Sequence, residues 1–361
     1  MLATIPNNIL VTNGDQAPFC YGMLNKVFYS FEAQAGRTAV VLLAGALAPT
    51  VMLPFISAFQ RQSNDFSARE ADILLIIDGE SEHATAYDTL ALDGLKLVHC
   101  LPEYFGRCGF EGSQPWIYIM DRNQRVLGQI DPILDASYVS TALQLAGSLP
   151  REEPRFIALP APVLSVPHIF SRSFCRALIG HFENGPHAPG GMASMDATGK
   201  GFHKVDLDKK HREDCVLEHG DPMRDQVVNA LARFCLPEIK KAFQFDVHFI
   251  DRILIARYDD TGGYFRRHRD NVAASVAYRQ FALSINLNTE DYEGGYLTFP
   301  EFNDHSYRPG TGSGVVFSAS LLHEAHPVTK GQRYVLLTFL HNAEAEAHRL
   351  EFLERAKAAA A

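Results

Sequence analysis

Between Tyr264 and Asp270 the chain reads Tyr-Phe-Arg-Arg-His-Arg-Asp, with His268 and Asp270 two positions apart. On an extended strand such positions share a face, so the imidazole and the carboxylate point one way while Arg267 and Arg269 point the other. The pair can chelate a divalent metal, although an isolated His-x-Asp also describes a surface ion pair. A second segment further on, His323-Glu324-Ala325-His326-Pro327-Val328, adds another histidine at 323 or 326, and Arg333 follows. Two imidazoles and one carboxylate on one side of an octahedral iron(II) leave three positions open for a cosubstrate and dioxygen. Arginine is a permanently charged, bidentate partner for a cosubstrate carboxylate.

The elements that must position these groups are short strands. From Val247 onward, apolar runs at 249–257, 264–270, 281–287, 295–299, 314–317 and 334–339 are separated by turn residues and by no helix, which predicts a β-sandwich or jelly roll. Helical spacing precedes them at 171–184 and 221–243. The Gly-, Ala- and Met-rich stretch 184–201 reads either as a solvated loop or as a lid over a site. Five prolines between Leu149 and Pro167 disfavour helix and mark a seam near residue 155. Before the seam, strands at 38–44, 71–77 and 95–101 alternate with helical patterns at 50–62 and 82–92. A hairpin (116–121 and 126–129) and a helix (137–146) follow, an α/β pattern.

Residues from about Ala161 to Leu340 resemble the prolyl-4-hydroxylase-type branch of the iron(II)/2-oxoglutarate oxygenases. The resemblance rests on three ordered motifs: Tyr258-x9-His268-x-Asp270, then Glu293-Gly294-Gly295-x-Leu297-x-Phe299-Pro300, then His323-x3-Pro327-Val328-x2-Gly331-x-Arg333. It implies a double-stranded β-helix with His268, Asp270 and His323 as iron ligands, the Pro327-Val328 pair selecting His323 over His326. It further implies Arg333 and Tyr258 as 2-oxoglutarate contacts, and ascorbate as reductant. The implied reaction is hydroxylation of an aliphatic carbon on a peptidyl side chain, an amino acid or a natural product, with release of succinate and CO2. Arg266, Arg267 and Arg269 are read either as a solvated strand face or as a site mouth for an acidic or peptide substrate. His248, His305 and His341 have no motif context.

Residues from about Asn13 to Ser148 resemble the peroxiredoxin or thioredoxin-like superfamily, through Gly14-Asp15-Gln16-Ala17-Pro18, the strand at 38–44, the loop 46–54 and Gln114-Pro115-Trp116-Ile117-Tyr118-Ile119-Met120-Asp121. Thr50 and Pro54 match the peroxidatic loop, but Leu53 stands at the nucleophile's position, and leucine cannot ionise or attack. The resemblance implies a cis-proline at Pro115. Three segments are expected: a thioredoxin-like domain at 1–155, an oxygenase domain at 156–343 and a helical tail at 344–361. The first reads as catalytically silent, for substrate docking or homodimer formation. The other readings are a thiol peroxidase, with Cys100 and Cys108 as its thiols, and a non-catalytic binding protein.

Composition bounds the rest. Hydrophobic residues at 47% and charged residues at 21% describe a folded, soluble chain. A net charge of −9 argues against a general nucleic-acid binder. No apolar run spans a bilayer and no secretory signal is read at the N-terminus, so a cytoplasmic protein is expected. Six cysteines without regular spacing read as mostly reduced, partly buried thiols.

Overall fold

The computed structural model describes residues 12–110, 112–148, 156–195 and 201–360. The chain divides into two compact units, with the division between residues 154 and 155. The seam's residues 149–155 lie outside the described ones.

In the first unit, the fully buried run Thr38–Gly45 lies in the interior of a seven-stranded sheet. It pairs in parallel with Ala71–Asp78, which pairs in parallel with Leu95–Cys100. Trp116–Met120 and Val126–Ile130 extend the sheet antiparallel on one side. On the other side Leu95–Cys100 carries the antiparallel hairpin Tyr21–Leu24/Val27–Ser30, which no sequence signal had marked. Helices Pro49–Gln60 and Tyr138–Ala146 supply core residues to one face. This is an α/β arrangement, with parallel strands inside the sheet and antiparallel pairs at both edges. The helical pattern at 82–92 forms only Ala84–Tyr87.

Two expectations for this unit are corrected. Cys20 and Cys100 form a disulfide; they lie 80 residues apart, and only the pairing of the Tyr21–Leu24 and Leu95–Cys100 strands makes them neighbours. Cys108 of this unit, and Cys175, Cys215 and Cys235 of the other, are buried and outside any disulfide. There is no cis peptide bond at Pro115: Gln114 is held by a 2.8 Å hydrogen bond to Asp131, and the chain runs straight into the Trp116–Met120 strand.

In the second unit, two antiparallel sheets make the jelly roll. The larger contains, in order, Val163–Val166, Gly314–Ser318, Phe281–Asn286, Arg333–His341, Leu254–Tyr258, Glu213–Val216 and Ala188–Pro189. The smaller contains Lys210–His211, Tyr264–His268, His323–Ala325 and Leu297–Thr298. Helices Arg172–Asn184 and Pro222–Phe234 bury Cys175, Leu178, Phe182, Val227 and Leu231 against the larger sheet. Ser171 and Asp221 cap their N-termini through side-chain oxygens. The helical pattern at 221–243 breaks at Cys235, and Leu236–Phe243 restarts with Pro237 in its first turn. Ala343–Ala360 forms the helical tail.

Candidate metal and cosubstrate site

The site grows from an irregularity in the smaller sheet. Tyr264–His268 pairs with His323–Ala325 so that Phe265 faces Ala325 and His268 faces His323, three residues advancing on one strand against two on the other. This extra residue is a β-bulge, and it re-aims the side chains beyond it. Phe265 and His268, three apart, come to the same face with their rings stacked at 3.4 Å between centroids. Asp270 lies beyond the strand end, where its backbone N–H donates to the Ala319 carbonyl at 2.9 Å.

The Asp270 carboxylate reaches both imidazoles: Oδ1 is 3.4 Å from His268 Nε2, and Oδ2 is 3.4 Å from His323 Nε2. Each ring has Nδ1 against a carbonyl, Arg266 O at 2.7 Å and Leu321 O at 2.9 Å. A carbonyl only accepts, so Nδ1 carries the proton and the Nε2 lone pair faces the shared space. Burial would raise the Asp270 carboxyl, yet His323, His268 and the more distant Arg279 hold it down to about 2. Burial pushes His323 down against the pull of Asp270, which favours the neutral imidazole that a metal needs. The donor atoms of the three residues all lie within 4.8 Å of one another. Two neutral nitrogens and a carboxylate oxygen, open on one side, fit iron(II).

A cavity of about 520 Å³ opens beside them, and both Tyr258 and Arg333 line it. These two are register partners across the Leu254–Tyr258/Arg333–His341 pair, with the guanidinium 5.2 Å from the tyrosine ring centroid. Arg333 is buried and donates from Nη2 to Asn286 at 3.2 Å, while its Nε finds no partner. Thr338 Oγ1, on the same strand and also facing the cavity, has none either. Buried donors of this kind are costly unless matched, and the far carboxylate of a dicarboxylic acid matches them. Gly295 makes room for the arginine: at φ +63°, a Cβ there would lie 2.9 Å from Val328 Cγ2 and 3.0 Å from Arg333 Cδ.

The structure separates the remaining candidates. His326 faces outward, with Nε2 3.1 Å from Thr298 Oγ1 and 3.5 Å from Glu324. Arg267 pairs with Glu324 and Arg269 with Glu301, while Arg266 lies over the Tyr264 ring. His341 is bound to Glu346 at 2.8 Å, and His248 contacts its own turn at Asp246 O. Within 184–201, Ala188–Pro189 joins the larger sheet and Met192–Met195 pairs with Gly201–Lys204; residues 196–200 lie outside the described ones. In the first unit, Leu53 sits in the opening turns of the Pro49–Gln60 helix, and burial pushes the Cys108 thiol up to about 12.

Lys210, Arg212 and Arg252 also line the cavity, and the sequence reading passed over them. A signal was present: Lys210, Arg212 and Asp214 alternate, the spacing that puts charged groups on one face of an extended chain.

Residues 253–341 match the family model described as the 2OG-Fe(II) oxygenase superfamily. A PKHD-type hydroxylase of Azoarcus sp. (strain BH72), azo0608, is 31% identical over 104 residues, which make up 27% of this chain and 46% of that protein. The chain spans about half the length of the curated relatives it matches. Among solved structures, a Pseudomonas putida prolyl-4-hydroxylase has a TM-score of 0.39 at 20% identity, covering 50% of this chain and 93% of that one. A putative thiol:disulfide interchange protein from Chlorobium tepidum has a TM-score of 0.32 at 17% identity, covering 38% and 99%. No helix among the described residues is long and apolar enough to cross a membrane. The segment that matches this model contains Tyr258, His268, Asp270, His323 and Arg333 together.

Proposed function

We propose that this protein is an iron(II)- and 2-oxoglutarate-dependent hydroxylase of an aliphatic C–H, releasing succinate and CO2. The observation that carries the reading is one cavity holding both a His-Asp-His donor set and a buried arginine with an unpartnered donor. His268, Asp270 and His323 would hold the metal. When bound, iron(II) would supply activation of dioxygen, the oxidant that converts 2-oxoglutarate to succinate and CO2 and the C–H to C–OH, one oxygen atom entering each product. Arg333 holds the far carboxylate through its free Nε, and Tyr258 forms the wall beneath it. Leu297, Leu337, Phe317 and Phe339 line the cavity with apolar surface that excludes water. Ascorbate would serve as reductant.

The substrate proposed is a peptidyl side chain, an amino acid or a natural product. The first unit, with Leu53 in place of a nucleophile, serves for docking or for self-association. The reading places the protein in the cytoplasm, where full burial of Cys20 and Cys100 shields their disulfide from reductants. The test is succinate formation from 2-oxoglutarate with iron(II). A purified wild-type chain that makes none, across peptide and small-molecule pools, would refute the reading.

A further inference from the structure

We propose that the substrate carries a compact oxyanion, a carboxylate or a phosphate, that binds Lys210, Arg212 and Arg252 on the cavity wall; this rests on the oxygenase reading above.

The cavity is lined by more cationic groups than its acids can answer. Arg269 is paired with Glu301 and Arg279 with Asp251, at 2.7 and 3.1 Å. Arg333 is taken by the cosubstrate. Lys210, Arg212 and Arg252 are left to share one carboxylate, Asp214, at 3.6, 2.7 and 3.9 Å. Lys210 and Arg212 are almost fully buried in side chain, and Arg252 is about a quarter exposed. Grouping three cations around one anion out of water is unfavourable unless another anion joins them. Burial, with Arg212 and Arg252 nearby and only Asp214 opposing, pushes the Lys210 ammonium down to about 7.

The ammonium has a donor to spare. Its Nζ donates to Gly191 O at 2.8 Å and lies 3.6 Å from Asp214, beyond hydrogen-bond distance, which leaves two of three protons without a hydrogen-bond acceptor among the described residues. The neighbouring loop backbone lies close over the cluster: a Cβ at Gly190 would fall 2.7 Å from Lys210 Cε and 2.9 Å from Asp214 Oδ2. The position relative to the chemistry is also defined. Lys210 Nζ lies 5.1 Å from the Phe265 ring centroid, and that ring stacks on His268. An oxyanion on Lys210 is thus one aromatic ring away from the metal donors, and it fixes how far the reacting carbon lies from the charged group.

The test uses the full chain with manganese(II) in place of iron and saturating 2-oxoglutarate, without oxygen. Binding is measured by calorimetry for three probes: the α-amides of N-acetylglutamate, N-acetylphosphoserine and N-acetylglutamine. At least one acidic probe should bind about tenfold or more tighter than the glutamine probe, because a buried charge-assisted pair forms with only the acids. The stronger of the two identifies carboxylate or phosphate. Lys210→Met should bring the preference to near parity, and Arg252→Gln, which changes a less buried side chain, should reduce it independently. Equal behaviour of all three probes, including no binding by any, overturns the proposal, as does a preference that survives both substitutions. Succinate formation by the wild type with iron(II) is scored separately. Turnover without an acid preference removes the anion site alone, and an acid preference without turnover removes the oxygenase reading alone.

Discussion

Arg212 donates from Nη1 to the Tyr258 hydroxyl at 2.7 Å, while the guanidinium of Arg333 lies 5.2 Å from the same ring's centroid. One tyrosine therefore separates two arginines that face one cavity. On the proposed reading, the cosubstrate lies on one side and the substrate's charged group on the other. Anions bound on the two sides would be coupled through this residue, each altering the other's affinity by the same factor. Tyr258→Phe, which deletes the hydroxyl and keeps the ring, should weaken that coupling more than it weakens 2-oxoglutarate binding alone. Calorimetry with each ligand in the presence and absence of the other measures both quantities.

Removing one donor of the triad should remove the metal without unfolding the domain. For His268→Ala, manganese(II) affinity should fall by well over about tenfold, with an unchanged circular dichroism spectrum and no succinate formed. Wild-type turnover by this variant would disprove the ligand assignment.

Arg333→Ala should raise the 2-oxoglutarate requirement by the equivalent of about 2–5 kcal/mol, the range for truncating one partner of a buried charge pair. Arg333→Lys should recover part of this, since a lysine keeps the charge and loses the planar fork. Lys330, the other cation nearby in sequence, is three-quarters exposed and paired with Glu293, so Lys330→Ala should leave the requirement unchanged.

Gly295→Ala should act on the cosubstrate from a distance. A left-handed φ costs a non-glycine residue about 1–2 kcal/mol, and the new methyl would press on Val328 and on the Arg333 stem. A higher 2-oxoglutarate KM with a modest fall in melting temperature is expected. An unchanged KM would show that the arginine's placement does not depend on this glycine.

Lys210 should leave a signature in stability against pH. Its folded pKa is pushed down to about 7 from an ordinary 10.5, so between those values the unfolded chain holds the proton that the folded chain has released. Where the unfolded state binds more protons, stability rises with pH. Urea unfolding of wild type minus Lys210→Met should therefore show a positive slope from about pH 7 to pH 10. The subtraction matters, because the Cys108 and Cys175 thiols, pushed up to about 12 by burial, contribute with the opposite sign and are common to both proteins. A flat difference would mean that Lys210 is ordinary.

Elements in both units were legible where their signals are local. Thr38–Gly45, Arg172–Asn184 and Phe281–Asn286 lie where apolar runs and helical spacing put them. Gly295 and Arg333 meet through motifs that the sequence displays directly. The features that escaped the sequence depend on pairing between distant segments. The Tyr21–Leu24/Val27–Ser30 hairpin has half-exposed strands and no strong turn signal, and only the edge of Leu95–Cys100 gives it a place. The Cys20–Cys100 bond depends on the same edge. The cation cluster was missed because Lys210 and Arg212 look like solvated charges until the sheets bury them. The strand argument for His268 and Asp270 accounts for only part of how the structure places them. The strand ends at His268, and Asp270 is held by Ala319 rather than by strand geometry.

The bulge between Phe265 and His268 makes the length of this segment matter more than its wording. Arg266 and Arg267 are exposed, and their side chains take no part in the donor set. Either should accept replacement by most residues at little cost. Deleting one of the two is a different event. It would restore the regular two-for-two count with the His323 strand, and the alternating period would swing the imidazole of His268 to the opposite face of the sheet, away from His323 and the cavity. Changes of identity at these positions are thus nearly free, whereas a change of one in their number dismantles the centre.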